Sequence, residues 1–177
     1  MAKRVRAYVG LGANVGDARL TLERAVRALA ALPGVRLRGV SRLYTTKPVG
    51  MTDQPDFLNA VATLDVPAGP DPETGATALL AALKHLELAL GRRPRERWGA
   101  REIDLDLLIF GRHRVRTEGT SWLEVPHPLA RQRLFVLAPL SDLAPCLRPP
   151  GWGESVKSAR RRREAVEGSD AVQVTHW

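Results

Sequence analysis

The chain has 177 residues, 44% hydrophobic and 26% charged, with a net charge of +8 and a single cysteine. That length suits one domain with a real core, and Cys146 alone excludes an internal disulfide and fits a reducing compartment. No apolar run nears the ~18–20 residues of a membrane span, and at 5% aromatic content a base-stacking RNA surface is poorly supplied.

Residues 151–177 hold five cations against four anions, so most of the positive charge belongs to the body of the chain. Met1 to Arg4 leads straight into a strand pattern with no secretory core, and the protein is expected in the cytoplasm. Residues 5–11 read as a first strand. Gly10-Leu11-Gly12-Ala13-Asn14-Val15-Gly16 is a glycine-rich turn. Asp17 is an N-cap for a helix to about Ala31, with Leu22, Val26 and Leu29 on its apolar face. Strand, glycine turn and helix invite a dinucleotide reading. The spacing, however, is G-x-G-x-x-x-G, and the next strand has no acid for a ribose. A tight turn, with glycines permitting positive φ, is the simpler reading.

Residues 35–46 read as a long second strand, with a bulge expected within 41–44. Residues 45–56 form a loop dense in turn residues. Residues 57–66 read as a third strand. Phe57, Asn59, Val61 and Thr63 share one face, and Leu58, Ala60, Ala62 and Leu64 form an apolar face for helices. Residues 73–90 read as a second helix with Leu79, Leu80, Leu83, Leu86 and Leu90 inward and Gly91 as its C′ residue. His85 falls on its surface. Glu87 lies one turn from its end, placed to brace the arginine-rich loop beyond.

That loop and the strand after it are the most informative stretch. Five arginines lie between positions 92 and 101, and the strand then carries Asp104 and Asp106. Alternation puts the two aspartates on one face, Cα atoms ~6–7 Å apart, with Ile103, Leu105, Leu107 and Ile109 on the other. Leu108 and Phe110 make the aspartates' own face apolar further along, so the strand is buried on both sides. Asp-x-Asp by itself is most often a solvated strand end. Two carboxylates at the mouth of a buried strand need a compensating cation. Oxygen ligands of this kind suit Mg²⁺ shared with substrate phosphates. The adjoining arginines supply bidentate phosphate donors. The combination predicts a nucleoside triphosphate site.

Residues 113–117 and 121–125 suggest a short hairpin, and Pro126-His127-Pro128 is rigid. Residues 131–137 return basic groups and one aromatic. Residues 138–150 read as irregular apolar structure with a short helix, and Cys146 as a small buried hydrophobe. Residues 151–177 read as a basic, weakly patterned, partly mobile tail after a single domain over 1–150. The order strand–helix–strand–strand–helix–strand is the split βαβ, ferredoxin-like arrangement. It implies an α+β fold, an antiparallel sheet with helices on one face and a C-terminal extension.

Four stretches carry a resemblance. They are Gly10 to Asn14; Tyr44-Thr45-Thr46-Lys47-Pro48-Val49-Gly50 running on to Asp53-Gln54-Pro55-Asp56-Phe57-Leu58-Asn59; Gly91-Arg92 with Arg97-Trp98-Gly99-Ala100-Arg101-Glu102-Ile103-Asp104-Leu105-Asp106; and Val125-Pro126-His127-Pro128 through Arg133, Phe135 and Pro139. With them the chain, over residues 5–146, resembles the 6-hydroxymethyl-7,8-dihydropterin pyrophosphokinase family of folate biosynthesis. The resemblance implies transfer of diphosphate from ATP to the hydroxymethyl oxygen of a reduced pterin, with release of AMP. It implies a pair of Mg²⁺ ions on Asp104 and Asp106, and Arg92 and Arg101 as catalytic phosphate contacts. For ATP it adds Glu87, Trp98, Leu107, His127 and Arg133. For the pterin it implies Asn59 at the amide edge, Phe135 and Phe57 at the ring, and Thr46, Pro48 and Val49 in the lining loop. It further implies a monomer with small-molecule substrates and no nucleic acid or membrane.

Three positions depart from the family pattern. Ala100 and Lys47 stand where proline is common, and Pro128 replaces an aromatic residue. The rival reading is a ferredoxin-like nucleic-acid-binding module, which shares the topology and the basic loop but lacks the paired exposed aromatics such modules use. A γ-phosphoryl kinase would need a G-x-x-x-x-G-K-[ST], H-R-D or D-F-G motif, and none is present.

Overall fold

The computed structural model describes residues 3–94, 99–118 and 122–177. The elements are β1 (Arg4–Ala13), α1 (Ala18–Ala31), β2 (Arg36–Val40), β3 (Leu43–Thr46), β4 (Phe57–Pro67), α2 (Pro72–Ala89) and β5 (Asp104–Phe110). A hairpin of β6 (Val115–Arg116) and β7 (Glu124–Val125) comes next, then a 3-10 turn at Ala130–Gln132, α3 (Leu134–Leu143), α4 (Val156–Glu167) and β8 (Val172–Thr175). The main sheet runs β5-β1-β4-β3-β8, with β2 also on β4, and neighbouring strands are antiparallel. With β2 and β3 taken as one interrupted strand, the first five strands have the expected split βαβ order.

Local chemistry sets the helix ends. Asp17 caps α1 by accepting from the Leu20 N–H at 3.0 Å, and Asp71 caps α2 from the Thr74 N–H at 2.8 Å. The second strand departs from expectation. The register slips at Arg38, between Leu37 and Gly39, and the strand breaks outright at Ser41. There the serine itself completes the ladder: its N–H donates to the Val61 carbonyl and its hydroxyl accepts from the Val61 N–H, both at 2.9 Å.

Helices cover both faces of the sheet, not one. Val9, Leu11, Leu64, Leu105 and Leu107 pack under α1 and α2, with Leu22, Leu29 and Leu83. Tyr8, Val61, Leu108 and Ile109 pack on the opposite face with Val136, Leu137 and Leu140 of α3 and Val156 and Ala159 of α4. The cause is α3, buried almost all round, which needs a sheet on one side and a helix on the other. A second departure lies in β5. Tyr8 pairs with Ile109 and Val9 with Leu107, so Leu108 is an extra residue. The bulge exchanges the faces of Ile109 and Phe110, sending Ile109 towards α3 and Phe110 towards α2.

Residues 151–177 contain more regular structure than their pattern suggests. Ser155 caps α4, only Val156 and Ala159 of which are buried, and β8 pairs with β3. Such a polar helix offers almost no apolar period, and a four-residue edge strand is visible only once β3 has a place in space. Cys146 is exposed rather than buried.

Candidate active site

The floor of the site is glycine. Asp104 pairs with Gly12 and Asp106 with Gly10 across the β1–β5 ladder, so both aspartates stand over backbone that carries no side chain. A Cβ on Gly12 would meet Asn59 Oδ1 at 3.2 Å, and one on Gly10 would meet the Leu108 methyls at 3.5 Å. The glycine pattern that resembled a dinucleotide turn therefore serves to keep this floor open. Above it lies a cleft of about 460 Å³ running from Asp104, Asp106, Arg101 and Arg133 at one end to Thr46, Asn59 and Phe57 at the other.

The two carboxylates live in different environments. Arg92 donates to Asp104 Oδ1 at 2.7 Å and Arg101 donates to Oδ2. Burial works to raise the Asp104 pKa, but the charges of Arg101, Arg92 and Lys84 outweigh it and hold the group below the ordinary carboxylate value. Asp106 makes no hydrogen bond or ion pair to another described residue, and its pKa is raised, first by burial and then by the charge of Asp104. A carboxylate with no guanidinium of its own, beside a second carboxylate on the same face, is a donor set that fits a divalent cation.

Glu87 lies beneath this pair, only 2% exposed. Its Oε1 accepts from the Leu105 N–H at 2.6 Å and from Lys84 Nζ at 2.9 Å, and its Oε2 pairs with Arg92 at 2.6 Å. The carboxylate is thus a brace for Arg92 and for the start of β5, and does not line the cleft. Leu107 is likewise outside the cleft: its side chain is 3% exposed on the other face of β5, in the core under α1 and α2. The alternation that puts two aspartates in the site excludes it. Trp98 falls outside the described residues.

His127 borders a neighbouring cavity of about 540 Å³ that shares Gln132 with the cleft. Burial, then the charge of Arg133, pushes its pKa down to about 4. The Leu129 N–H donates to Nδ1 at 3.2 Å, so the neutral ring carries its proton on Nε2 and remains a donor. The Arg133 guanidinium lies 5.6 Å from the Phe135 ring centroid. At the far end Asn59 Nδ2 donates to Thr46 Oγ1 at 2.8 Å. Phe57, Phe135 and the exposed Val49 join the lining, whereas Pro48, half-buried in the same loop, does not.

Asn14 holds a position that its sequence context does not announce. It is 4% exposed. Its Oδ1 accepts from the Arg101 N–H at 2.8 Å and its own N–H donates to the Arg101 carbonyl at 3.0 Å. Its Nδ2 donates to Gln54 Oε1 and the Pro55 carbonyl at 3.0 and 2.9 Å. The side chain joins the turn after β1 to the segment carrying Arg101 and to the loop at the other end of the cleft. The only signal is its place at the close of the glycine turn, where an asparagine looks like ordinary turn chemistry. Asn14→Ala is expected to cost about 1–3 kcal/mol, since it removes a buried side chain's hydrogen bonds to three part-buried or exposed partners, and to lower kcat/KM. Urea denaturation with steady-state assays checks both, and an unchanged midpoint would contradict the bracing role.

Known proteins share this arrangement of sequence and fold. A model of the family described as 7,8-dihydro-6-hydroxymethylpterin-pyrophosphokinase (HPPK) matches residues 8–145. A 2-amino-4-hydroxy-6-hydroxymethyldihydropteridine pyrophosphokinase of Pseudomonas aeruginosa is 44% identical over 145 residues, covering 82% of this chain and 84% of that protein. One of Methylorubrum extorquens is 43% identical over 154 residues, covering 87% and 90%. The crystal structure of wild-type Plasmodium falciparum HPPK-DHPS superposes with a TM-score of 0.75 at 14% identity. It covers 96% of this chain and 46% of that one, so this chain spans just under half of the longer protein. At that identity the likeness speaks for the fold alone.

Proposed function

The chain belongs to the 7,8-dihydro-6-hydroxymethylpterin-pyrophosphokinase family, and from that premise we propose how its cleft carries the transfer. The activity is that of an ATP-dependent pyrophosphokinase of folate biosynthesis. The hydroxymethyl oxygen of 6-hydroxymethyl-7,8-dihydropterin forms a bond to the β-phosphorus of ATP. The bond from that phosphorus to the α–β bridging oxygen breaks, AMP leaves, and the hydroxyl proton is released to solvent.

Asp104 and Asp106 would hold magnesium, which when bound neutralises the polyphosphate and polarises its phosphoryl oxygens. Arg92, Arg101 and Arg133 donate to phosphate oxygens in a site where fixed donors need no reorganisation. His127 donates to the nucleotide from Nε2. The pterin lies at the far end against Phe135 and Phe57, with Asn59 and Thr46 at its polar edge. Glu87 acts through Arg92 and touches no phosphate. Such an arrangement works by positioning and charge neutralisation, because no covalent intermediate with the protein is required.

The observation that carries this reading is the pair of aspartates on one face, over a glycine floor and ringed by three arginines. The nucleic-acid alternative is disfavoured by α3 and α4, which bury Tyr8 and Val61 on the sheet face such a module would offer to bases. No helix among the described residues is long and apolar enough to cross a membrane. We take the working unit to be a monomer in the cytoplasm.

Incubation with ATP, Mg²⁺ and 6-hydroxymethyl-7,8-dihydropterin should yield AMP and the pterin diphosphate. Chelation with EDTA should abolish the yield, and added Mg²⁺ should restore it. ADP as the nucleotide product would overturn the reading.

A further inference from the structure

Glu167 lines the cleft but takes no part in the transfer as derived from the phosphate end. It is the last residue of α4, beyond residue 145 where the family match ends. Among the described residues three carboxylates line the cleft, and Asp104 and Asp106 occupy the phosphate end. The chain after Glu167 leads to the other end, where Ala171 and Phe135 pack on one cluster. The chain turns at Gly168, whose φ is +91°, and a few residues later Val172 pairs with Thr46 in the β8–β3 ladder.

Side-chain acceptors at that end are few among the described residues. A reduced pterin presents several N–H donors along its ring edges. Asn59 Oδ1 is one side-chain acceptor there, Thr46 Oγ1 already accepts from the Asn59 amide, and Phe57, Phe135 and Val49 offer none. Glu167 Oε1 is held by Arg163, whose Nε donates at 2.8 Å and whose terminal nitrogen donates as well. Its Oε2 takes no hydrogen bond from another described residue.

We propose that Glu167 is a pterin-binding residue: Arg163 fixes one carboxylate oxygen, and the other accepts from a ring N–H of the substrate. Strand β8 is the positioning element. It pairs from Leu43–Thr175 to Thr46–Val172, and Trp177 Nε1 donates to the Ser41 carbonyl at 2.8 Å just beyond the start of β3. α4 is anchored at its other end by Val156 and Ala159 against α3. The C-terminal segment thereby sets both Thr46 and Glu167. The inference rests on the pterin occupying this half of the cleft.

The test is a steady-state assay of AMP release, varying each substrate with the other saturating. Glu167→Ala should raise the KM for the pterin about tenfold, the scale of one charge-assisted hydrogen bond, with the KM for ATP and kcat within about twofold. Glu167→Gln, which keeps an acceptor oxygen, should recover most of the loss. A wild-type pterin KM in Glu167→Ala, or an equal rise in both KM values, would overturn the proposal. A chain ending at Ser169 removes β8; if it melts cooperatively, its pterin KM should rise at least as far with the ATP KM unmoved, and if it does not fold the point variants decide. Should the unaltered chain release no AMP, the family reading of the site has failed instead. Fluorescence titration of 6-hydroxymethyl-7,8-dihydropterin into wild type and Glu167→Ala then tests Glu167 directly, equal affinities counting against it.

Discussion

Asp106→Ala is expected to lower turnover by roughly three orders of magnitude, the scale on which a charge-stabilising group at a phosphoryl centre acts, without lowering stability. Asp106 is lodged against Asp104 and has no cationic partner in contact among the described residues, and its raised pKa records that its charge is disfavoured in the folded chain. Removing that charge relieves the fold. Asp104→Ala should lose turnover by a similar factor but behave differently in a melt. Arg92 and Arg101 both bind its carboxylate, so Arg101 loses its anion and Arg92 keeps only Glu87 of its two among the described residues, at a cost of about 2–3 kcal/mol. AMP-release assays together with thermal melts of both variants separate the effects. An Asp106→Ala chain that is inactive because it has unfolded would contradict this account.

Glu87→Ala should be the most destabilising single change in the site, by about 3–5 kcal/mol, as expected when one partner of a buried, hydrogen-bonded charge cluster is removed. The variant leaves the Leu105 N–H without its acceptor and frees Lys84 and Arg92 from their common anion. kcat should fall with it, because among the described residues Arg92 then has only Asp104 as an ion-pair partner. Glu87→Gln keeps an acceptor for Leu105 and should recover part of the stability but less of the rate. Urea denaturation at fixed pH measures the first effect, and a midpoint near wild type would show that the buried carboxylate is not a brace.

Much of this was legible in the sequence because the relevant signals are local. The two-residue period of β5 put Asp104 and Asp106 on one face and also explains why the Leu107 side chain faces away from the cleft. Asp17 announced α1 by cap chemistry. The features that escaped are those created by pairing at a distance. The extra residue Leu108, which exchanges the faces of Ile109 and Phe110, exists only against β1. The break at Ser41 makes sense only beside Val61. β8 is only four residues long, its Val172–Val174 alternation is too short to announce a strand, and it gains its place from β3. Asn14 reads as a turn residue until Arg101, Gln54 and Pro55 are brought around it.

The central claim is that the carboxylates of Asp104 and Asp106 grip divalent metal against a polyphosphate. It is tested most directly by Mn²⁺ titration with electron paramagnetic resonance as the readout and a non-hydrolysable ATP analogue present. Wild type should bind about two ions per chain beyond those held by the nucleotide in free solution, and Asp106→Asn should lose at least one of them while still melting cooperatively. Binding in Asp106→Asn that matches wild type, ion for ion, would contradict the account.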